Sequence, residues 1–192
     1  MKIIIAMRSL WACKILNGDK KIEVRKGLAL YNALKKAEER GEEVEFLMYV
    51  TQAKPYLLDR RVVSNGEYEA ITLREMHDEN STVNITPKSG CVLNGKVVAK
   101  FALEKYEKIY WSLSDYIGDD EKRLKTPSLH DYELADKACL EIEKLYDYFA
   151  DGDSVGSALY ISNLEIFDEP KTLANYGLKR APQSWAYSKE AL

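Results

Sequence analysis

The residues with the most chemistry to offer lie in one short segment, Gly18-Asp19-Lys20-Lys21-Ile22-Glu23-Val24-Arg25. A glycine lets the chain turn out of a preceding helix, and an ammonium, a carboxylate and a guanidinium follow where a strand begins. Such a group offers donors to a carbonyl or phosphate and a carboxylate to amide or amino edges, which suits a nucleobase or nucleotide. Lys20, Glu23 and Arg25 are therefore candidate ligand contacts, and Lys20 with Glu23 is the pair that would do acid-base work if the site is catalytic. The bland alternative is a solvated ladder of Lys21, Glu23 and Arg25 on the exposed face of a strand whose other face buries Ile22 and Val24, an arrangement worth little energetically. Strict alternation also sets Lys20 opposite Glu23. The two converge only if residues 18–20 are still turning, which Gly18 permits.

The elements that must position this segment follow from periodicity and turn signals. Ile3-Ile4-Ile5 reads as a short buried strand, and a helix runs from about Leu10 to Leu16, ended by Asn17-Gly18. Residues 21–25 form the alternating strand. Residues 28–40 form a helix stopped by Gly41, and Val44 to Val50 form a strand. Asn65-Gly66 and Asn94-Gly95 sit between β-rich runs and predict two hairpins. Residues 106–130 read as a loop with helical turns. Residues 131–150 read as one long amphipathic helix ending at Asp151-Gly152-Asp153. Strand character returns from Ala158 to Phe167, and Pro182 to Tyr187 looks like a short closing strand. Many short strands with few helices predict an α+β fold, a small barrel or strongly curved sheet with helices on its rim, and no regular β-α-β alternation.

Composition narrows the function classes. The 192 residues are 46% hydrophobic and 31% charged, with a formal net charge of −3, which is the signature of a globular chain with a real core. That net charge argues against a strongly basic nucleic-acid binder, but it hides regions of opposite sign. Residues 1–26 carry a local +5 and residues 171–192 a local +3, so the stretch between them holds −11. Two basic ends flank an acidic middle. Trp11, Trp185 and Tyr187 lie in those ends, where a ring could stack on a base or simply close the sheet.

Other chemistries find little support. Cys13, Cys91 and Cys139 are odd in number and widely spaced, without a C-x-x-C, so the sequence predicts neither a disulfide framework nor a zinc ribbon, and a reducing cytoplasm fits. Only two histidines exist, His77 beside Asp78 and His130 beside Asp131, and adjacency on the chain does not build a triad. No metal or cofactor is expected. The N-terminal apolar run meets Arg8 too early for a signal-peptide core, and no apolar run is long enough to span a bilayer, so no membrane association is expected.

The pattern G-x-K-x-x-E-x-R at Gly18, Lys20, Glu23 and Arg25 resembles the signature of the ASCH domain, a branch of the PUA-like superfamily of small RNA-binding β-barrels. Ile5-Ala6-Met7-Arg8 followed by Lys14-Ile15-Leu16-Asn17-Gly18 is similar to that family's first strand, basic turn and short helix. Tyr49-Val50-Thr51, Ile161-Ser162-Asn163-Leu164 before Pro170, and Pro182-Gln183-Ser184-Trp185-Ala186-Tyr187 resemble phage- and prophage-type members. The resemblance implies a single PUA-like domain over 1–192, with candidate insertions at 57–93 and 106–152. It also implies a ligand cleft lined by Arg8, Ser9, Trp11, Lys20, Glu23 and Arg25. Some ASCH proteins deacylate N4-acetylcytidine and others are described as ribonucleases. In the deacylase branch a threonine stands where this chain has Glu23, and a carboxylate beside a lysine is an ion pair or general base, not a nucleophile. Glu104 is a candidate third acidic group.

Three readings follow. The first is a module that binds RNA or a nucleotide-like small molecule. The second is a hydrolase of a modified nucleoside or of RNA that uses Lys20 and Glu23. The third is a phage or prophage interaction protein whose acidic middle binds a host protein.

Overall fold

The computed structural model describes residues 1–53, 56–62, 68–75, 91–113, 122–150 and 154–189. The chain order is β1 (Lys2–Met7), α1 (Ser9–Leu16), β2 (Ile22–Lys26), α2 (Ala29–Glu39), β3 (Glu45–Val50), β4 (Tyr56–Val62), β5 (Tyr68–Glu75), β6 (Cys91–Val92), β7 (Val97–Leu113) and β8 (Lys122–Lys125). Then follow α3 (Asp131–Lys137), α4 (Ile142–Tyr148), β9 (Gly156–Lys171), a 3-10 turn (Leu173–Tyr176) and β10 (Trp185–Tyr187). The class is α+β, as expected. The residues group into two compact units, Met1–Gly18 with Glu45–Phe101 and Leu164–Leu192, and Asp19–Val44 with Ala102–Asn163.

In the first unit, β1 lies between β10, antiparallel, and β3, parallel, and β3 continues antiparallel to the start of β7. The run of apolar residues in β1 and β3 fits strands covered on both faces: Ile3, Ile4, Ile5, Phe46, Met48 and Val50 are fully buried. One face of this sheet packs Ile4, Ala6, Leu47, Tyr49 and Val97 against Tyr176, with Phe167, Leu173 and Leu178 at the margin. A second sheet, in the order β5-β4-β6, is tied to α1: Asn17 Nδ2 donates to the Ile71 carbonyl at 3.1 Å and Ser9 Oγ to the Tyr56 carbonyl at 2.9 Å.

In the second unit, β2 pairs antiparallel with the start of β9, and the far half of β7 pairs antiparallel with β8. Ile22, Val24, Ala158, Ile109 and Leu124 pack with Leu134, Ala135, Ala138, Leu145 and Phe149 of the α3–α4 segment. α2 buries Leu30, Ala33, Leu34 and Ala37, one stripe at helical spacing, and ends at Gly41 with φ 65°.

Three expectations need correction. Residues 131–150 are not one helix. Cys139 takes φ 53°, its N–H and that of Leu140 turn back to the Asp136 and Ala135 carbonyls, and α4 restarts in a direction that buries Leu145 and Phe149. The apolar stripe served two short helices equally well. Residues 106–113 are not loop but the continuation of β7, and residues 122–125 form β8. Alternating charges at Lys105, Glu107 and Lys108 masked the period of Ile109 and Trp111, which face the core. Asn94-Gly95 does form a tight turn, with Gly95 at φ 80° and Lys96 N–H bonded to the Leu93 carbonyl. It joins no hairpin, because β6 pairs with β4 while β7 pairs with β3. The turn at Asn65-Gly66, His77 with Asp78, and Asp151-Gly152-Asp153 lie outside the described residues.

Candidate functional site

Glu23 is the largest departure from the simple strand reading. The ladder alternative would set it on a solvated face, but Ile22, Glu23 and Val24 are all buried, and Glu23 is only 6% exposed. The exposed salt-bridge ladder is therefore excluded. Glu23 pairs with Leu159 across the ladder and Arg25 with Ser157, both of which are buried, so this second face of β2 is covered as well.

The three signature side chains form one chain of contacts. Lys20 Nζ stands 3.5 Å from Glu23 Oε2, and Arg25 Nε stands 2.8 Å from Glu23 Oε1. Lys20 reaches Glu23 because Gly18, at φ 78°, keeps the chain turning until β2 begins. The Lys20 ammonium also donates to the Ala138 carbonyl at 2.6 Å, and the Lys21 N–H donates to the Lys137 carbonyl at 2.9 Å. The end of α3 thus leans on the start of β2, and Lys20 satisfies a carbonyl that the helix leaves unbonded.

Electrostatics follow from burial. Lys20 is 4% exposed, and desolvation lowers its pKa below the usual lysine value, only partly opposed by the charge and hydrogen bond of Glu23. A buried carboxylate between an ammonium and a guanidinium keeps lone pairs for a ligand's N–H groups, while the cations favour an anionic or carbonyl oxygen.

Of the remaining sequence candidates, Arg8, Ser9 and Trp11 lie in the first unit and Glu104 in the second. Arg8 is exposed and caps α1, its carbonyl accepting from the Ala12 N–H at 3.0 Å. Ser9 is buried and its hydroxyl is engaged, donating to the Tyr56 carbonyl and accepting from Asn94 Nδ2 at 2.9 Å. Trp11 is half-buried on α1. Glu104, the candidate third acid, is exposed on β7.

A second polar group in the second unit escaped the sequence reading. Glu107 Oε2 accepts from Ser128 Oγ and from the Tyr160 hydroxyl, each at 2.7 Å, and Oε1 pairs with Lys105 Nζ at 3.0 Å. Lys105 Nζ also donates to Ser128 Oγ at 2.7 Å and lies 4.3 Å from the centre of the Tyr160 ring. Burial alone would raise the Glu107 pKa, but the donors Ser128, Thr126, Tyr160 and Lys105 outweigh it and bring the value down to about 2. The Lys105 pKa is raised, chiefly by its hydrogen bond to Glu107. Both charges are thus locked in their ionised forms near neutrality, and the cluster ties β7, the turn before α3 and β9 together without supplying a base. The one signal in sequence was the Lys105-x-Glu107 spacing on a strand.

Among the described residues, no group of three or more His, Cys, Asp or Glu side chains could hold a metal ion. Among those residues, no helix is long and apolar enough to cross a membrane.

No protein-family model and no curated protein matches the chain. Solved structures do. The ASCH protein of Zymomonas mobilis superposes with a TM-score of 0.52 at 13% identity, covering 98% of this chain and 88% of that one. A tyrosine-to-phenylalanine variant of the same protein gives 0.51 at 13% identity, covering 98% and 91%. Together with the α+β element order, these likenesses show that the chain shares the fold of the Zymomonas mobilis ASCH structures.

Proposed function

We propose that the chain binds RNA or a nucleotide-like small molecule through Lys20, Glu23 and Arg25. The observation that carries this reading is the burial of one carboxylate between two cations at the mouth of a strand. Burying charges is costly, and a group held this way is pre-positioned to exchange its internal contacts for a polar ligand. The cations take a phosphate or carbonyl oxygen and the carboxylate takes an amino or imino edge, so a base and its phosphate are both recognised. An equilibrium binding panel of nucleotides and short RNAs at low salt tests it. Lys20→Met should weaken the best ligand at least tenfold, and a panel without any binder at low salt contradicts the reading.

The lowered pKa of Lys20 favours a second reading, hydrolysis of an amide on a modified nucleoside or of an RNA phosphodiester. Desolvation moves the amine toward the range in which it can accept a proton, and Glu23 holds it in place. Incubation with N4-acetylcytidine and with RNA tests this second reading. Absence of turnover, or turnover unchanged in Lys20→Met, removes it.

A further inference from the structure

The basic C-terminal segment is left unused by the Lys20 group. From residue 171 to residue 189 the chain contains Lys171, Lys179, Arg180 and Lys189 and no aspartate or glutamate. The structure gathers three of these cations within the first unit. Lys189 N–H bonds to the Tyr176 carbonyl at 3.0 Å, and a Cβ on Gly177 would lie 2.8 Å from the Lys189 Cβ, so Lys189 sits against the turn from which Lys179 and Arg180 emerge. All three side chains are exposed, and no carboxylate pairs with them among the described residues. Cations gathered this way repel one another, a cost that a bound polyanion removes.

Aromatic surface lies beside them. Among the described strands, β10 ends its sheet and pairs with β1. Trp185 and Tyr187 project from the same face of β10, opposite Ile5 and Ile3, with ring centroids 5.4 Å apart and an interplanar angle of 88°. Tyr187 is 47% exposed, among the largest exposures of any aromatic residue described. An exposed ring near cations is how proteins hold unstacked bases together with the phosphates between them.

We infer that β10 and the turn after Tyr176 form a single-stranded nucleic-acid contact, in which Tyr187 stacks on a base while Lys179, Arg180 and Lys189 engage the phosphates. An acidic peptide would satisfy the cations but leave the ring idle, and a duplex would hide the bases from it. The contact uses none of the residues of the Lys20 group and stands or falls independently of it.

Fluorescence anisotropy with short labelled oligouridylate, oligodeoxythymidylate and a duplex control tests the inference. The triple variant Lys179→Glu, Arg180→Glu, Lys189→Glu should lower affinity tenfold or more and flatten the slope of log K against log salt by about 2, since each single-strand phosphate contact contributes about 0.7. Tyr187→Ala should lose about 5- to 100-fold and Tyr187→Phe should keep the affinity, because the ring face is what stacks. These positions are exposed, and circular dichroism spectra should coincide with wild type. Preference for the RNA strand assigns the contact to RNA, and equal binding of both strands assigns it to single strands generally; either supports the inference. Unchanged affinity and slope in the triple variant, a neutral Tyr187→Ala, or equal competition by polyglutamate overturns it. Binding lost in Lys20→Met but untouched in the triple variant overturns the β10 contact and leaves the Lys20 reading intact, and the converse pattern does the reverse.

Discussion

Replacing Glu23 with glutamine probes the buried group with the least change of shape. The carboxylate lies 3.5 Å from the Lys20 ammonium and 2.8 Å from Arg25 Nε, with the Lys20 and Glu23 side chains 3% and 8% exposed. Glu23→Gln leaves the Lys20 ammonium buried with the Ala138 carbonyl but without a counter-charge, and breaking a buried pair from one side costs about 3 kcal/mol or more. For a chain of this length, that is a fall in melting temperature of about 6–12 °C. The double variant Lys20→Met, Glu23→Gln should recover at least about 1 kcal/mol of the loss, because the unpaired ammonium is then gone. The Lys20 pKa, already below 10.5, should drop further in Glu23→Gln, since Glu23 is what raises it. A lysine with a depressed folded pKa contributes stability in full above its ordinary value and loses it as pH falls through the depressed one. Wild type should therefore gain on Lys20→Met as pH rises toward 10.5. Urea denaturation followed by circular dichroism across pH reads all three effects. A cost for Glu23→Gln below about 1 kcal/mol, or strict additivity in the double variant, would refute the buried-pair reasoning.

Three further outcomes follow from the packing and hydrogen bonds. The depressed Glu107 pKa, about 2 against 4.5, gives stability that is full above pH 4.5 and is lost as pH falls through about 2; Glu107→Gln should abolish that acid slope, and an unchanged slope in acid titration counts against the hub. A Cβ at Gly156 would lie 2.5 Å from both the Arg25 carbonyl oxygen and the Phe149 ring, so Gly156→Ala should cost about 3 kcal/mol in urea titration, and a neutral result contradicts the close β2–β9 approach. Asn94 accepts from the buried Leu58 N–H at 2.7 Å and donates to Ser9 Oγ and the Thr51 and Tyr56 carbonyls. Asn94→Ala should cost about 2 kcal/mol and expose α1 to faster amide exchange, while exchange unchanged over residues 9–16 speaks against its anchoring role.

Local patterns were legible where they coincide with burial. The apolar runs of β1 and β3, the helices α1 and α2 with their Asn17-Gly18 and Gly41 stops, and β9 and β10 were all readable within a few residues. The Gly18 turn was readable as well, as the feature that would permit Lys20 and Glu23 to meet. What sequence could not show was the covering of both faces of β2, because alternation reports one buried face and says nothing of what lies over the other. It also could not place Cys139 in the left-handed region, since no glycine or asparagine marks the break between α3 and α4. The Lys105, Glu107, Ser128 and Tyr160 cluster joins residues as distant in sequence as Lys105 and Tyr160 and carries no motif of its own. The Ala138 carbonyl on Lys20 is a backbone atom 118 residues away, invisible to any reading of side-chain types.

The most direct test of the central claim is the affinity of wild type, Lys20→Met and Arg25→Ala for the tightest ligand of an RNA and nucleotide panel at low salt, with folding checked by circular dichroism. Wild type should show a measurable affinity, with a fall of at least about tenfold and a shallower salt dependence in each variant, because each removed cation releases a phosphate contact. Affinity equal in all three folded proteins, with the same salt slope, would contradict the claim.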